Sequence, residues 1–211
     1  IIKVKDKDAK TFDNLLSSLR QQYRDKSGII YCHSRKNCED LYEKLRMRGI
    51  SVEYFHAGLS KKNREQIQSD WIENKKKVII ATIAFGMGID KPDVRFVIHY
   101  NMPQSLENYY QEIGRPGRDG ELSDCVIYYS NKDKVVYEKM VKKEQPKSPK
   151  KQAHNQERLK KIMDISSFME NIIDCKHFLL CNHFGEKLEP AIGYCKNHCD
   201  NCYANKNNII Y

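Results

Sequence analysis

Short apolar runs alternate with amphipathic stretches through the first 130 or so residues of the chain. Gly28-Ile-Ile-Tyr-Cys32 has no charged interruption, the pattern of a strand buried on both faces. Ser34 can then cap a helix in which Cys38, Leu41, Tyr42 and Leu45 recur at the helical period, and Gly49 stops it. Val52-Glu-Tyr-Phe55 predicts the next strand, and Ser60 opens a helix carrying Ile67 and Trp71. Val78-Ile-Ile-Ala81 and Arg95-Phe-Val-Ile-His99 are two further strands. Ser105 starts a helix with Leu106, Tyr109, Tyr110 and Ile113 on one face and Gly114 past its end, and Cys125-Val-Ile-Tyr-Tyr129 closes the series. The residues after Ile1 also read as a strand, so the chain is expected to be a piece of a longer one. Strands this apolar, with helices between them, predict an α/β fold: a parallel sheet with helices on both faces.

The pattern changes near Gln145-Pro-Lys-Ser-Pro-Lys-Lys151, where two prolines and no apolar residue predict a turn or short linker. Beyond it, Leu159, Ile162, Met163, Phe168, Ile172 and Ile173 predict helices packing on one another. No apolar run approaches the roughly 18 residues that span a bilayer, so a soluble, intracellular chain with no membrane partner is expected. The net charge is +9, and residues 131–161 hold eleven Lys/Arg against four Asp/Glu. Such a segment is either a solvated helical surface or a face that meets phosphates.

Cysteine placement adds chemistry. Of eight cysteines, Cys32, Cys38 and Cys125 lie singly in apolar patterns and read as small buried hydrophobes. The other five fall between Cys175 and Cys202, a clustering that favours a metal over disulfides. Cys195, Cys199 and Cys202 are spaced so that one turn can present three thiolates. Cys175 is the preferred fourth ligand, with Cys181, His177, His183 and His198 as nearby alternatives. Four thiolates fill a tetrahedral zinc shell and leave no position for water, so the site is expected to be structural. Binding of that kind supplies on the order of 10–16 kcal/mol to small modules.

Two further segments suit phosphate chemistry. Gln111-Glu-Ile-Gly-Arg-Pro-Gly-Arg-Asp-Gly120 sets Arg115 and Arg118 among three glycines just past a helix end. Guanidinium forks match phosphate oxygens, and glycines let the backbone turn tightly. The stretch from Ala81-Thr82 to Asp93 contains Gly86 and Gly88, which allow close backbone approach, and Asp90, which can accept from a ribose hydroxyl. Tyr31-Cys-His-Ser-Arg35 and His56-Ala-Gly58 sit at strand ends, the rim where open α/β sheets bind ligands.

These stretches, in this order, resemble the C-terminal motifs of RecQ DNA helicases, and Phe184-Gly-Glu186 with the cysteines around it is similar to that family's zinc-binding region. Lys196-Asn-His198 lengthens the cysteine spacing, as in the Bloom-type members. The resemblance implies a second RecA-like lobe over residues 1–132, a small helical four-cysteine zinc domain over 133–211, and ATP-dependent 3′-to-5′ DNA unwinding. It makes Arg118 the principal arginine finger, with Arg115 and Gln111 beside it at the γ-phosphate, and sets Gly88 and Asp90 against the ribose. Ser34, Arg35, His56 and Thr82 are expected along a DNA strand backbone. DNA and the first RecA-like lobe of the same protein are the implied partners, structural Zn2+ the resident metal, and the nucleus the location. Roles in DNA repair and recombination go with these. Pro116 departs from the family, which usually has Ala there; the loop is expected to tolerate it.

No glycine is followed by lysine and no Asp-Glu pair occurs, so the chain has neither a phosphate loop nor the acidic pair that holds magnesium. ATP and Mg2+ are expected to be bound mainly by the first lobe, and the fragment alone is expected to be inactive. Two other readings remain. One is a non-catalytic, zinc-stabilised nucleic-acid-binding module. The other is an RNA helicase lobe of the DEAD-box kind, which would carry His-Arg where this chain has Gln111-Glu112.

Overall fold

The computed structural model describes residues 1–86, 89–144, 148–187 and 194–207. Six strands, β1 (Ile2–Asp6), β2 (Ser27–Tyr31), β3 (Val52–Phe55), β4 (Val78–Ala81), β5 (Val94–His99) and β6 (Asp124–Tyr129), form one sheet. Its order is β1-β6-β5-β2-β4-β3, and every neighbouring pair is parallel. Between the strands run α1 (Thr11–Arg20), α2 (Arg35–Met47), α3 (Lys61–Ile72) and α4 (Leu106–Ile113). The expected α/β architecture is therefore present, and α1 is a helix beyond those that the apolar pattern predicts. Its buried stripe is Leu15, Leu16 and Leu19.

Successive side chains of a strand point to opposite faces, and the core divides accordingly. Ile30, Ile80, Ile98 and Val126 join α1 and α2 on one face. Ile29, Ile79 and Val97 turn to the other, where Trp71 of α3 meets Phe85 and Ile89. Those last two belong to the connection between β4 and β5, whose described residues pack on this face; both strands run parallel to β2. Further along the same face, Ile127 and Cys125 pack beneath α4. Burial pushes the Cys125 thiol up to about 12, as expected of an inert packing cysteine.

The C-terminal part is helical: α5 (Asn131–Lys143), α6 (Pro149–Glu170), α7 (Lys176–His183) and α8 (Asp200–Lys206). Of the expected linker, residues 145–147 lie outside the described residues, and Pro149 instead begins α6, with the Ser148 hydroxyl accepting from the Lys151 amide at 3.3 Å. Proline is tolerated at a first helical position because that N–H has no partner there anyway. Ile162 and Phe168 are buried as expected, whereas Met163, Ile172 and Ile173 are exposed, the two isoleucines because α6 ends at Glu170. A single hydrophobic cluster runs from Ile2 and Tyr109 through Tyr137, Ile165 and Phe168 to Cys175 and Cys202. Among the described residues, no helix is long and apolar enough to cross a membrane.

Candidate nucleotide, strand and zinc sites

The sulfurs of Cys175, Cys195, Cys199 and Cys202 all lie within 4.8 Å of one another, and all four residues are buried. Cys175 is the N-cap of α7, and Cys199 is the N-cap of α8, where its Sγ accepts from the Cys202 amide at 3.4 Å. Lys196 and Asn197 both take positive φ (52° and 67°), which folds the chain tightly after Cys195. Of the alternative ligands, Cys181 and His183 stand outside this cluster, and His177 Nε2 lies 3.3 Å from the His198 carbonyl instead. Burial pushes the Cys199 thiol up to about 11 and Cys195 higher still. Sulfurs this close, desolvated and arranged in a fourfold set suit Zn2+, which replaces their protons and leaves the shell closed. Next to them the buried Lys176 ammonium donates to the carbonyls of Phe168 and Asn171, each at 2.6 Å, and so closes the end of α6.

The arginine loop follows α4 directly. Ser105 Oγ accepts from the Asn108 amide at 3.2 Å, and Gly114 is the C-cap. Gly117 has φ +73°, and a Cβ there would lie 2.9 Å from the Glu121 carbonyl. Its amide donates to Val94 O at 3.0 Å, which brings the loop to the start of β5. Arg118 is part-exposed and donates to Ile89 O at 3.3 Å and to Asp90 Oδ1 at 3.2 Å. Arg115 is more enclosed: it donates to the carbonyl of Gly86, which has φ +121° and where any Cβ would collide with the guanidinium. Arg95 bonds Asp119 and the Pro92 carbonyl, steadying the loop from β5. Gln111 is exposed on α4, and Pro116 comes after the helix has ended. Gly88 lies outside the described residues.

Ser34, His56 and Thr82 follow the C-terminal ends of β2, β3 and β4, which are neighbours in the sheet. Ser34 caps α2, its hydroxyl accepting from the Asn37 amide at 3.2 Å. Arg35 is exposed, with its side chain lying against Gly58. His56 is buried; Nδ1 accepts from the Gly58 amide at 3.2 Å and Nε2 is 3.0 Å from Glu39 Oε1, so the ring shapes its turn. Thr82 is half-buried, with its amide donating to Phe55 O at 3.3 Å. The sequence had not marked Glu39, Glu112 or His99 as site residues, because their partners are distant in the chain.

The helicase conserved C-terminal domain family matches residues 9–120, and the RecQ zinc-binding family matches residues 131–203. The chain is 43% identical over 203 residues to the RecQ-like DNA helicase blm-1 of Caenorhabditis elegans, a match covering 96% of this chain and 20% of that protein. It is 41% identical to the RecQ-like DNA helicase BLM of Xenopus laevis (90% of this chain, 14% of the relative), and 37% identical to the ATP-dependent helicase SGS1 of Saccharomyces cerevisiae (98% and 14%). The chain thus spans a fifth or less of the length of these relatives. In fold it is similar to the Escherichia coli DEAD-box protein SrmB, with a TM-score of 0.56 at 24% identity over 68% of this chain and 84% of that one. The C-terminal domain of S. cerevisiae Dbp5 gives a TM-score of 0.55 at 27% identity, over 67% and 83%. With a helicase C-terminal domain, a zinc-binding region and four clustered cysteines in one polypeptide, the chain belongs to the RecQ family of helicases.

Proposed function

We propose that this chain is the second motor lobe and the zinc domain of an ATP-dependent DNA helicase that moves 3′ to 5′ and works in the nucleus, with residues 1–132 and 133–211 as the two units. Arg118 serves as the arginine finger. One observation carries this reading: among the described residues, Arg118 is held at the protein surface by Asp90 and a loop carbonyl alone, so it is free to exchange partners. An exposed ion pair of this type contributes no more than about 1 kcal/mol. A γ-phosphate offered by the first lobe is a stronger partner, because a guanidinium beside it offsets charge that develops during phosphoryl transfer.

Asp90, once released, is left to border the ribose, a role that falls to Gly88 as well. Gln111 and Arg115 complete the edge, and the Gly86 contact fixes Arg115 in place. ATP and Mg2+ are held mainly by the first lobe. On the opposite rim Ser34, Arg35 and Thr82 meet the strand backbone, while His56 holds the Gly58 turn in shape for that contact.

The test is Arg118→Ala in the full-length protein. DNA-stimulated ATP turnover should fall by about 10³-fold or more, with four thiols still binding one zinc. Turnover at the parent rate would end this reading. If the chain is instead a binding module only, DNA affinity changes in step with the loss of one phosphate contact and turnover does not.

A further inference from the structure

His99 and Glu112 form a buried pair that the roles above leave unused. His99 ends β5 and is 1% exposed; Glu112, in the last turn of α4, is 5% exposed. Nε2 of the imidazole lies 2.6 Å from Glu112 Oε2. A carboxylate taken out of water is costly unless it is partnered, so this contact fixes the orientation of the turn from which residues 114–118 leave the helix.

The imidazole is itself held from two sides. It stacks on Tyr31 with ring centroids 5.4 Å apart, and meets Tyr109 edge-on at 5.2 Å. The Tyr31 hydroxyl donates to Phe85 O at 3.1 Å, and Arg115 donates to the next carbonyl, that of Gly86. The contacts therefore close a circuit: α4 to His99, to Tyr31, to residues 85–86, to Arg115 and back to α4. Nδ1 of His99 has no hydrogen-bond partner among the described residues. His99 also lines a cavity of about 100 Å3 together with His33, Thr82 and Asn101, at the rim assigned to the strand. One ring thus serves both the arginine loop and the strand side.

We infer that His99 and Glu112 are a positioning pair, which transmits the seating of a DNA strand at the Thr82 rim to Arg115 and Arg118. The inference rests on the strand and nucleotide roles proposed above. Neither residue is placed against nucleotide or strand; each acts through the loop it anchors. Residues 82–86 and 89–93 supply the mechanical route: the first group starts at the rim and receives Arg115 at Gly86, and the second receives Arg118 at Ile89 and Asp90.

The test uses the full-length protein with Glu112→Gln and His99→Gln, measuring ATP turnover with and without single-stranded DNA. Each variant should lower the ratio of stimulated to unstimulated turnover about tenfold through kcat, with the KM for ATP moving less than about threefold. The double variant should be no worse than the poorer single one, as expected of residues that act as a unit. The inference is overturned if turnover with and without DNA falls by the same factor, or if the ratio stays within roughly twofold of the parent. It is overturned as well if neither variant folds, since the pair then only supports the core. Arg118→Ala in the same assay separates the two claims. An active Arg118→Ala protein removes the proposed function, whereas an inactive one beside a Glu112→Gln protein of parental ratio removes only the positioning pair.

Discussion

Gly28 stands opposite Phe96 in the β2–β5 register, and a Cβ there would run into the ring, which is already stacked on Tyr23 at 4.3 Å. Gly28→Ala should therefore cost about 1–3 kcal/mol through overpacking. The measurement is a urea midpoint at unchanged slope; an unshifted midpoint would mean that Phe96 can step aside. Asp90→Ala should behave differently. Its pair with Arg118 is 86% exposed on the carboxylate side, so stability should stay within about 0.5 kcal/mol of the parent. A larger loss would show that Arg118 is locked in place, and its proposed exchange of partners would not stand. At this scale the capping roles of Ser34 and Ser105 were legible in the chain, because a cap bonds an amide three residues away. The role of His56 was not legible: its ring bonds Glu39, seventeen positions earlier on α2.

The edge strand β1 is clamped by the zinc domain. Ile2 N donates to His198 O at 2.9 Å, and Val4 N donates to Asp200 Oδ2 at 2.7 Å, so the knuckle around Cys199 serves as a partial seventh strand. Zinc binding, worth on the order of 10 kcal/mol in small modules, would thus be felt in the sheet through the amides of Ile2 and Val4, one bonded to a carbonyl and one to a carboxylate. Stripping zinc with a chelator should raise amide exchange at Ile2 and Val4 while leaving Ile30 and Ile80, in the middle of the sheet, protected. Unchanged exchange at Ile2 would show that the knuckle holds its shape without metal. The metal set itself was legible as a cluster of cysteines. Choosing Cys175 over Cys181 became a matter of geometry once α7 had formed, since Cys175 caps the helix toward the cluster and Cys181 lies elsewhere on it.

Across the whole molecule, the positive excess gathers on the α5–α6 pair, where Lys139, Lys143, Lys150, Lys151 and Lys160 are exposed. Some of its neighbours are neutralised in place, as in Arg158 to Glu144 at 2.6 Å and Lys161 to Glu157 at 3.2 Å. If the remaining lysines meet DNA phosphates, Lys139→Glu with Lys143→Glu should weaken binding and flatten the log–log salt dependence by about 0.7–0.9 per lost contact. An unchanged slope would return this face to the ordinary solvated surface that composition alone allowed.

The six-strand alternation with most of its helices, the clustering of the C-terminal cysteines and the arginine loop can all be read along the chain, because periodicity, capping and ligand spacing are encoded within a few neighbouring residues. Folding alone settles that Cys175 is the fourth member of the cysteine set, that Arg115 is enclosed against Gly86 while Arg118 stays at the surface, that the zinc knuckle grips β1, and that His99 meets Glu112. The physical reason is that a parallel sheet brings together residues far apart in the chain, along crossovers whose return path no local pattern specifies.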